Sequence, residues 1–193
     1  MKRQKPKYKQ IIEAALSVIA ENGYHSSQVA KIAKEAGVAD GTIYLYFENK
    51  EDILVSVFKE KMGQFTHRIQ KQIERQSNAS DKLHALIHTH FAQLSENYEL
   101  AIVAQLELRQ SNKDLRLKIN QVLKQYFNII DLIIKEGMAD GLFRSDLQLP
   151  LVRQMIFGTL DETVTTWLMQ ERRYNLVKLT DDVHRLIVQG IQD

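Results

Sequence analysis

The residues best suited to chemistry fall between positions 27 and 50. A tight turn at Gly37-Val38-Ala39 leads into Asp40, Gly41, Thr42, Ile43, Tyr44, Tyr46 and Phe47. Ile43 and Phe47, one helical turn apart, are the apolar anchors of this stretch, which leaves Ala39, Asp40, Gly41, Thr42, Tyr44 and Tyr46 on its outer face and leading end. Side chains at the leading end of a helix that enters the major groove are the ones that reach base edges. Gly41 permits close backbone approach, Thr42 can bond a base or a phosphate, and the hydroxyls of Tyr44 and Tyr46 stand at phosphate reach. Lys50 places a cation where the free N–H groups of the next helix already favour a phosphate. Asp40 reads first as the N-cap of its helix. The alternative is a carboxylate accepting from cytosine N4.

Other clusters point to weaker chemistry. His84 and His88 are four residues apart, a spacing that can hold a metal on one helix face, with His90 nearby. No HExxH motif completes a hydrolase, and Glu107 would have to arrive from another helix, so a metal-dependent helical enzyme is a distant rival. Asp161 and Glu162 lie mid-helix among apolar neighbours, and paired carboxylates can do acid–base work or hold polar ligand atoms. No phosphate-binding glycine loop, G-x-S-x-G elbow or dinucleotide fingerprint occurs. Cysteine is absent, which excludes thiolate sites and fits a reducing cytoplasm.

The elements that must position these groups are helices. Two prolines and eight glycines in 193 residues allow long uninterrupted helices and disfavour a turn-rich strand fold. Residues 8–21 carry Ile11, Ile12, Ala15, Leu16 and Ile19 on one stripe, closed by Asn22-Gly23. Ser26 and Ser27 offer caps for a second short helix that ends at Gly37, and a third covers 40–47. Further helices are predicted over 50–75 (capped by Asn49 with Asp52), 81–96 (capped by Ser80), 98–110, 113–136 (closed by Gly137 and Gly141), 150–170 and 175–189. The expected fold is all-α with about nine helices, in a small N-terminal bundle over 1–50 and a larger C-terminal one over 51–193. No run approaches the roughly 18 apolar residues of a membrane span, and no apolar segment follows the basic N-terminus to make a signal peptide. Charge is local: Lys2, Arg3, Lys5, Lys7 and Lys9 open a chain whose net charge is only +2. Such an arm suits contact with nucleic-acid phosphates.

Ile32-Ala33, Ala36-Gly37-Val38, Gly41-Thr42-Ile43-Tyr44, Phe47 and Asn49-Lys50 together resemble the DNA-binding signature of the TetR family of transcriptional repressors. The chain departs from it at Ala39, commonly serine or threonine there, and at Asp40, commonly basic or neutral. The resemblance implies a homodimer presenting two recognition helices to a palindromic operator, and no enzymatic activity. The candidate DNA contacts are Ser27, Gln28, Ala39, Asp40, Gly41, Thr42, Tyr44, Tyr46 and Lys50. Helices 150–170 and 175–189 read as apolar on more than one face, which points to a subunit interface built from the last two helices.

Residues 100–112 and 153–167 look like the fatty-acid degradation repressors within that family. That likeness implies a long-chain acyl-CoA as effector, with no cofactor. Met62, Phe65, Phe91, Leu94, Ile102, Leu106, Met155, Phe157 and Trp167 can line an apolar slot for the chain. Burial of roughly fifteen methylenes offers a gross ceiling of about 12 kcal/mol. Arg109 is the leading candidate for the phosphates, near Lys113, Arg116 and Lys118, with Gln105, Gln110 and Asn112 to orient the head group. Arg68, Lys71 and Arg75 form a second cationic group. A different hydrophobic effector (a drug, a quinone or a free fatty acid) is the alternative within the family, and a purely structural dimeric scaffold leaves the recognition-helix pattern unexplained.

Overall fold

A computed structural model describes residues 6–192, so Lys2, Arg3 and Lys5 of the basic arm lie outside the described residues. The described chain is helical: α1 (Pro6–Asn22), α2 (Val29–Glu35), α3 (Asp40–Ile43), α4 (Lys50–Ile73), α5 (Ala79–Glu96), α6 (Tyr98–Glu107), α7 (Lys113–Ala139), α8 (Leu149–Met169), a 3-10 turn at Leu176–Leu179, and α9 (Thr180–Ile191). It forms two compact units that do not follow a single cut at 50/51. One comprises residues 1–63 with 98–122, the other 64–97 with 123–193.

In the first unit the apolar stripe of α1 is buried throughout, from Tyr8 and Ile11 to Ile19. It packs on Ile32 and Ala33 of α2 and on Ile43 and Phe47, each almost wholly excluded from water. Tyr8 stacks on Phe47 with centroids 5.4 Å apart. Gly23 and Gly37 both adopt φ near the left-handed region, +73° and +61°, which closes α1 and α2 where the sequence places their ends. At the start of α4 the Asp52 N–H donates to Asn49 Oδ1 at 2.9 Å, while the Asp52 carboxylate accepts from the Glu48 N–H at 3.1 Å. That reciprocal capping is the one read from the sequence, shifted back by one residue on its return arm.

Several local expectations are corrected. α3 is α-helical only over Asp40–Ile43, and residues to Phe47 continue as turns in which Leu45 N–H bonds Thr42 O and Tyr46 N–H bonds Ile43 O. Asn78, not Ser80, caps α5: its side chain accepts from the Asp81 N–H, so the helix starts two residues early. α6 stops at Glu107 because the Asn112 side chain takes the Leu115 N–H and starts α7. α9 is amphipathic rather than apolar all round, with Val183, Ile187 and Ile191 buried but Asp181, Asp182, Arg185 and Gln189 exposed beside Leu186.

Gly137 does not end α7, which runs on to Ala139. The Gly137 carbonyl instead accepts the N–H groups of Leu142 and Phe143, folding the chain back so that the Phe143 ring lies against the glycine. A Cβ added at Gly137 would sit 2.1, 2.3 and 2.8 Å from three atoms of that buried ring. Gly137→Ala is expected to destabilise the second unit by about 1–3 kcal/mol through overpacking. Gly63→Ala, mid-helix with nothing within 4 Å of the added atom, should be neutral or gain up to ~1 kcal/mol in helix propensity. Thermal melts of the two variants check the pair; equal behaviour would contradict the steric role of Gly137.

Candidate DNA interface and effector site

The α2–turn–α3 segment offers a polar face with little internal employment. Gln28, Ala39, Asp40 and Gly41 are exposed, Thr42 is half-buried, and Tyr44 is 58% exposed. A Cβ added at Gly41 would meet no protein atom within 4 Å, so close packing at the Cα does not require glycine there. The Tyr46 ring leans towards Tyr8 and Phe47, with centroids 6.3 and 6.4 Å away.

Three expectations change here. Ala39 is the N-cap of α3, with extended backbone angles and no side-chain bond, and Asp40 is the first helical residue. The exposed Asp40 carboxylate therefore sits in the first turn, where it favours the helix dipole without capping. Gln28 is the N-cap of α2, again without a side-chain bond, so neither Ser26 nor Ser27 caps that helix. Ser27 is 1% exposed and its hydroxyl donates to the carbonyls of Val18 and Gly23. Its side chain belongs to the α1 terminus and is removed from the DNA-contact set.

Lys50 is also engaged. Its ammonium donates to His25 O at 2.8 Å and lies 4.7 Å above the Tyr24 ring. Partial burial holds its pKa below the usual lysine value, opposed by the attraction of Glu107. Glu107, 7% exposed on α6, is the centre of this group. One carboxylate oxygen accepts the backbone N–H of Tyr24 at 2.8 Å, and the other accepts from the Gln110 side chain. Burial, then the negative charges of Glu51 and Glu107, push the Tyr24 phenol up. A carboxylate distant in sequence by 83 residues thus fixes the loop between α1 and α2. From sequence alone Glu107 enters only a distant metal-site alternative, because nothing local marks its partner.

The expected effector residues divide between the units. Met62, Ile102, Gln105, Leu106, Arg109 and Asn112 belong to the first. There Gln105 is buried, Leu106 is exposed, Arg109 donates to Gln105 O, and Asn112 spends its side-chain oxygen on the α7 cap. Phe65, Phe91, Met155, Phe157 and Trp167 belong to the second, as does the buried Leu94. Met155 is exposed on α8, and the Trp167 indole N–H donates to Tyr174 O, which makes it a pin for the chain after α8.

Phe65, Phe91 and Phe157 do converge, on a centre the sequence reading missed. His90 lies edge-on to Phe65 at 5.2 Å and close to Phe91 at 5.9 Å. Its Nδ1 is 2.9 Å from the Tyr126 hydroxyl, while Nε2 is buried without a hydrogen-bond partner. Tyr126 in turn contacts Phe127 and Phe157. Burial drives the His90 pKa down to about 3, so the ring is neutral. Burial, reinforced by Asp161, drives the Tyr126 phenol up. Asp161 is buried and Glu162 exposed, so the two carboxylates face different surroundings. His84 is committed to Asp181 at 2.8 Å, and no group of three metal-capable side chains occurs among the described residues.

A short helix pair, α2 and α3, packed on α1 with an exposed polar outer face is the helix-turn-helix arrangement of a DNA-binding regulator. The model of bacterial regulatory proteins of the TetR family matches residues 11–57, and that of the YsiA-like protein C-terminal region matches residues 58–190. The chain belongs to the TetR family. A fatty acid metabolism regulator protein of Bacillus subtilis is 59% identical over 193 residues, 100% of both chains. The crystal structure of the FadR regulator from Bacillus subtilis in complex with stearoyl-CoA superposes with a TM-score of 0.92 at 59% identity, covering 96% of this chain and 100% of that one. FadR from Bacillus halodurans gives a TM-score of 0.91 at 55% identity with the same coverage.

Proposed function

We propose that the protein is a homodimeric repressor of fatty-acid degradation genes that binds a palindromic operator and releases it when a long-chain acyl-CoA binds. The observation that carries this reading is the full-length identity of 59% to a fatty acid metabolism regulator whose Bacillus subtilis structural counterpart holds stearoyl-CoA. Operator contacts are assigned to Gln28, Ala39, Asp40, Gly41, Thr42, Tyr44 and Tyr46, with Lys50 acting chiefly on the fold of the loop before α2. The functional division is assigned as DNA binding over 1–50 and effector binding with dimerisation over 51–193, a reading supported by separate family matches over 11–57 and 58–190.

Dimerisation is supported by an unpartnered face on α8. Leu151, Met155 and Met169 are exposed there around Gly158 and Thr159. A second copy meeting this face, with Leu186 of α9 beside it, buries them in a two-fold helix packing. No helix among the described residues is long and apolar enough to cross a membrane, and an operator-bound regulator works in the cytoplasm. The acyl chain is assigned to the aromatic centre around His90, Tyr126 and Phe157, whose apolar surface suits it and whose unpaired Nε2 can meet a carbonyl oxygen.

The test is fluorescence anisotropy of a palindromic operator from the upstream region of the chain's own gene, titrated with palmitoyl-CoA. Release by the thioester, with free coenzyme A and free palmitate inert, is the expected result. A complex indifferent to every acyl-CoA would keep the repressor and reject its effector. Absence of binding at low salt would reject both.

A further inference from the structure

Within the second unit, α9 packs on α5, and two histidines meet across that seam. His184 of α9 turns its Nε2 to Ser80, 3.0 Å from the carbonyl oxygen and 3.1 Å from the hydroxyl. One turn further along α5, His84 Nε2 lies 2.8 Å from Asp181 Oδ1. The two imidazoles stand edge to face, with centroids 5.2 Å apart and planes at 82°. Thr180, Val183, Ile187 and Ile191 supply the buried face of α9, and none of them titrates in the histidine range. The cluster is therefore the proton-sensitive part of the seam.

A carbonyl and a carboxylate only accept, so each Nε2 carries a hydrogen and acid adds its proton at Nδ1. Neither hydrogen bond is lost by that proton; what changes is charge. Two imidazolium rings 5.2 Å apart repel, and the carboxylates that offset them, Asp81 and Asp181, are exposed and screened. The surroundings add positive charge. From α4, Arg68, Lys71 and Arg75 line one groove with His84 and His88, against Glu96 alone, and Lys178 is exposed on the 3-10 turn. The other nearby charges are engaged: Lys82 with Glu136 of α7, Asp182 with Arg185, and on α8 Arg153 with Asp131. Burial holds the His184 imidazole below its ordinary value, against the pull of the Ser80 carbonyl, with His84 depressing it further and Asp81 and Asp181 opposing. The hydrogen bond from His84 keeps the Asp181 carboxyl below the usual carboxylate range. Asp181 thus stays charged while histidines titrate, and His184 sets the sign. Freed from the seam, His184 takes its proton near 6.5; docked, it takes it lower. Docking from this source is complete above about 6.5 and weakens as the pH falls towards the docked value.

We propose that Ser80, His84, Asp181 and His184 form an acid-released latch that holds α9 on α5. Its consequence for assembly rests on the two-fold packing proposed above: release of α9 loosens the dimer face that Leu186 shares with α8. The test is native-state hydrogen exchange of the full chain at pH 7.5 and 5.5. Protection of the α9 amides, corrected for intrinsic exchange, is taken relative to buried α7 amides, so that the global response through His90 cancels. Relative α9 protection is expected to fall roughly fivefold in the natural chain. In His184→Gln, which keeps a donor for Ser80 and cannot titrate, it should change less than twofold. No fall in the natural chain, or an equal fall in the variant, would overturn the latch. The His184 Cε1–H resonance of the natural chain gives a check without any substitution: a midpoint below about 6.5 is expected, and one at or above it overturns the proposal. Sedimentation equilibrium reads the dimer separately. A dissociation constant that rises on acidification in the natural chain but not in His184→Gln upholds both readings. Loosened α9 with unchanged dimer affinity upholds the latch and removes α9 from the dimer interface.

Discussion

Glu107→Ala is expected to weaken operator binding by tenfold or more and to lower the stability of the first unit by about 2–4 kcal/mol. The carboxylate is nearly inaccessible and takes two hydrogen bonds, one from the Tyr24 backbone and one from Gln110. Bonds to a charged acceptor are worth about 1.5–3 kcal/mol, and a buried N–H left without a partner adds about 1–3 kcal/mol of its own. Truncation also removes the negative charge that attracts Lys50, whose ammonium holds the same loop through His25 O. That loop lies between α1 and α2, so its loosening shifts the helix that presents Gln28 and precedes α3. Glu107→Gln should fall between, because one amide oxygen can still accept from Tyr24 while its NH2 group opposes the Gln110 donor. Operator titrations paired with urea melts check this order. A Glu107→Ala variant with unaltered operator affinity would show that the carboxylate stabilises the fold without positioning the DNA-binding helices.

Acidification is expected to cost stability through His90. The folded chain holds this imidazole neutral down to about pH 3, whereas an unfolded chain protonates it near 6.5. Between those values the unfolded state binds the extra proton. Stability from this source is therefore complete above about 6.5 and falls as the pH drops, by roughly 1.4 kcal/mol per unit, until about 3. From pH 6 to pH 4 the loss attributable to His90 is ~2–3 kcal/mol. His90→Gln retains a polar group for the Tyr126 hydroxyl and cannot titrate, so its urea midpoint should vary less over the same range. Midpoints of the two chains that decline in parallel from pH 6 to pH 4 would show that other groups carry the acid response. Occupancy of the aromatic centre by an acyl chain should leave that slope unchanged and extend it to lower pH, since a single imidazole contributes at most one proton.

Local pattern was sufficient where one helix face or one terminus decides the outcome. The stripe of α1, the glycine turns at 23 and 37, the Asn49–Asp52 capping and the outer face of α3 are all relations within a few residues, fixed by helical period and backbone sterics. Caps are not legible where several neighbouring residues compete. Ser26, Ser27 and Gln28 all precede α2, and only the packed structure shows the Ser27 hydroxyl turned back to Val18 and Gly23. Gly137 looked like a terminator because glycine commonly is one. Its reason for being glycine is the ring of Phe143, which returns only after the turn is made.

Periodicity and turn residues make the all-α fold legible in the sequence, and the resemblance of residues 28–50 to the TetR signature marks them as the DNA-reading unit. Only the tertiary structure decided that α6 packs with α1 and so brings Glu107 to Tyr24. It also decided that Phe65, His90, Tyr126 and Phe157 share one centre, and that the cations of α4 face α5 across a groove. The Phe65–His90 contact spans 25 residues and the Tyr24–Glu107 bond 83, and such partners are chosen by how whole helices pack. The identity of a residue carries no record of which distant neighbour that packing will supply.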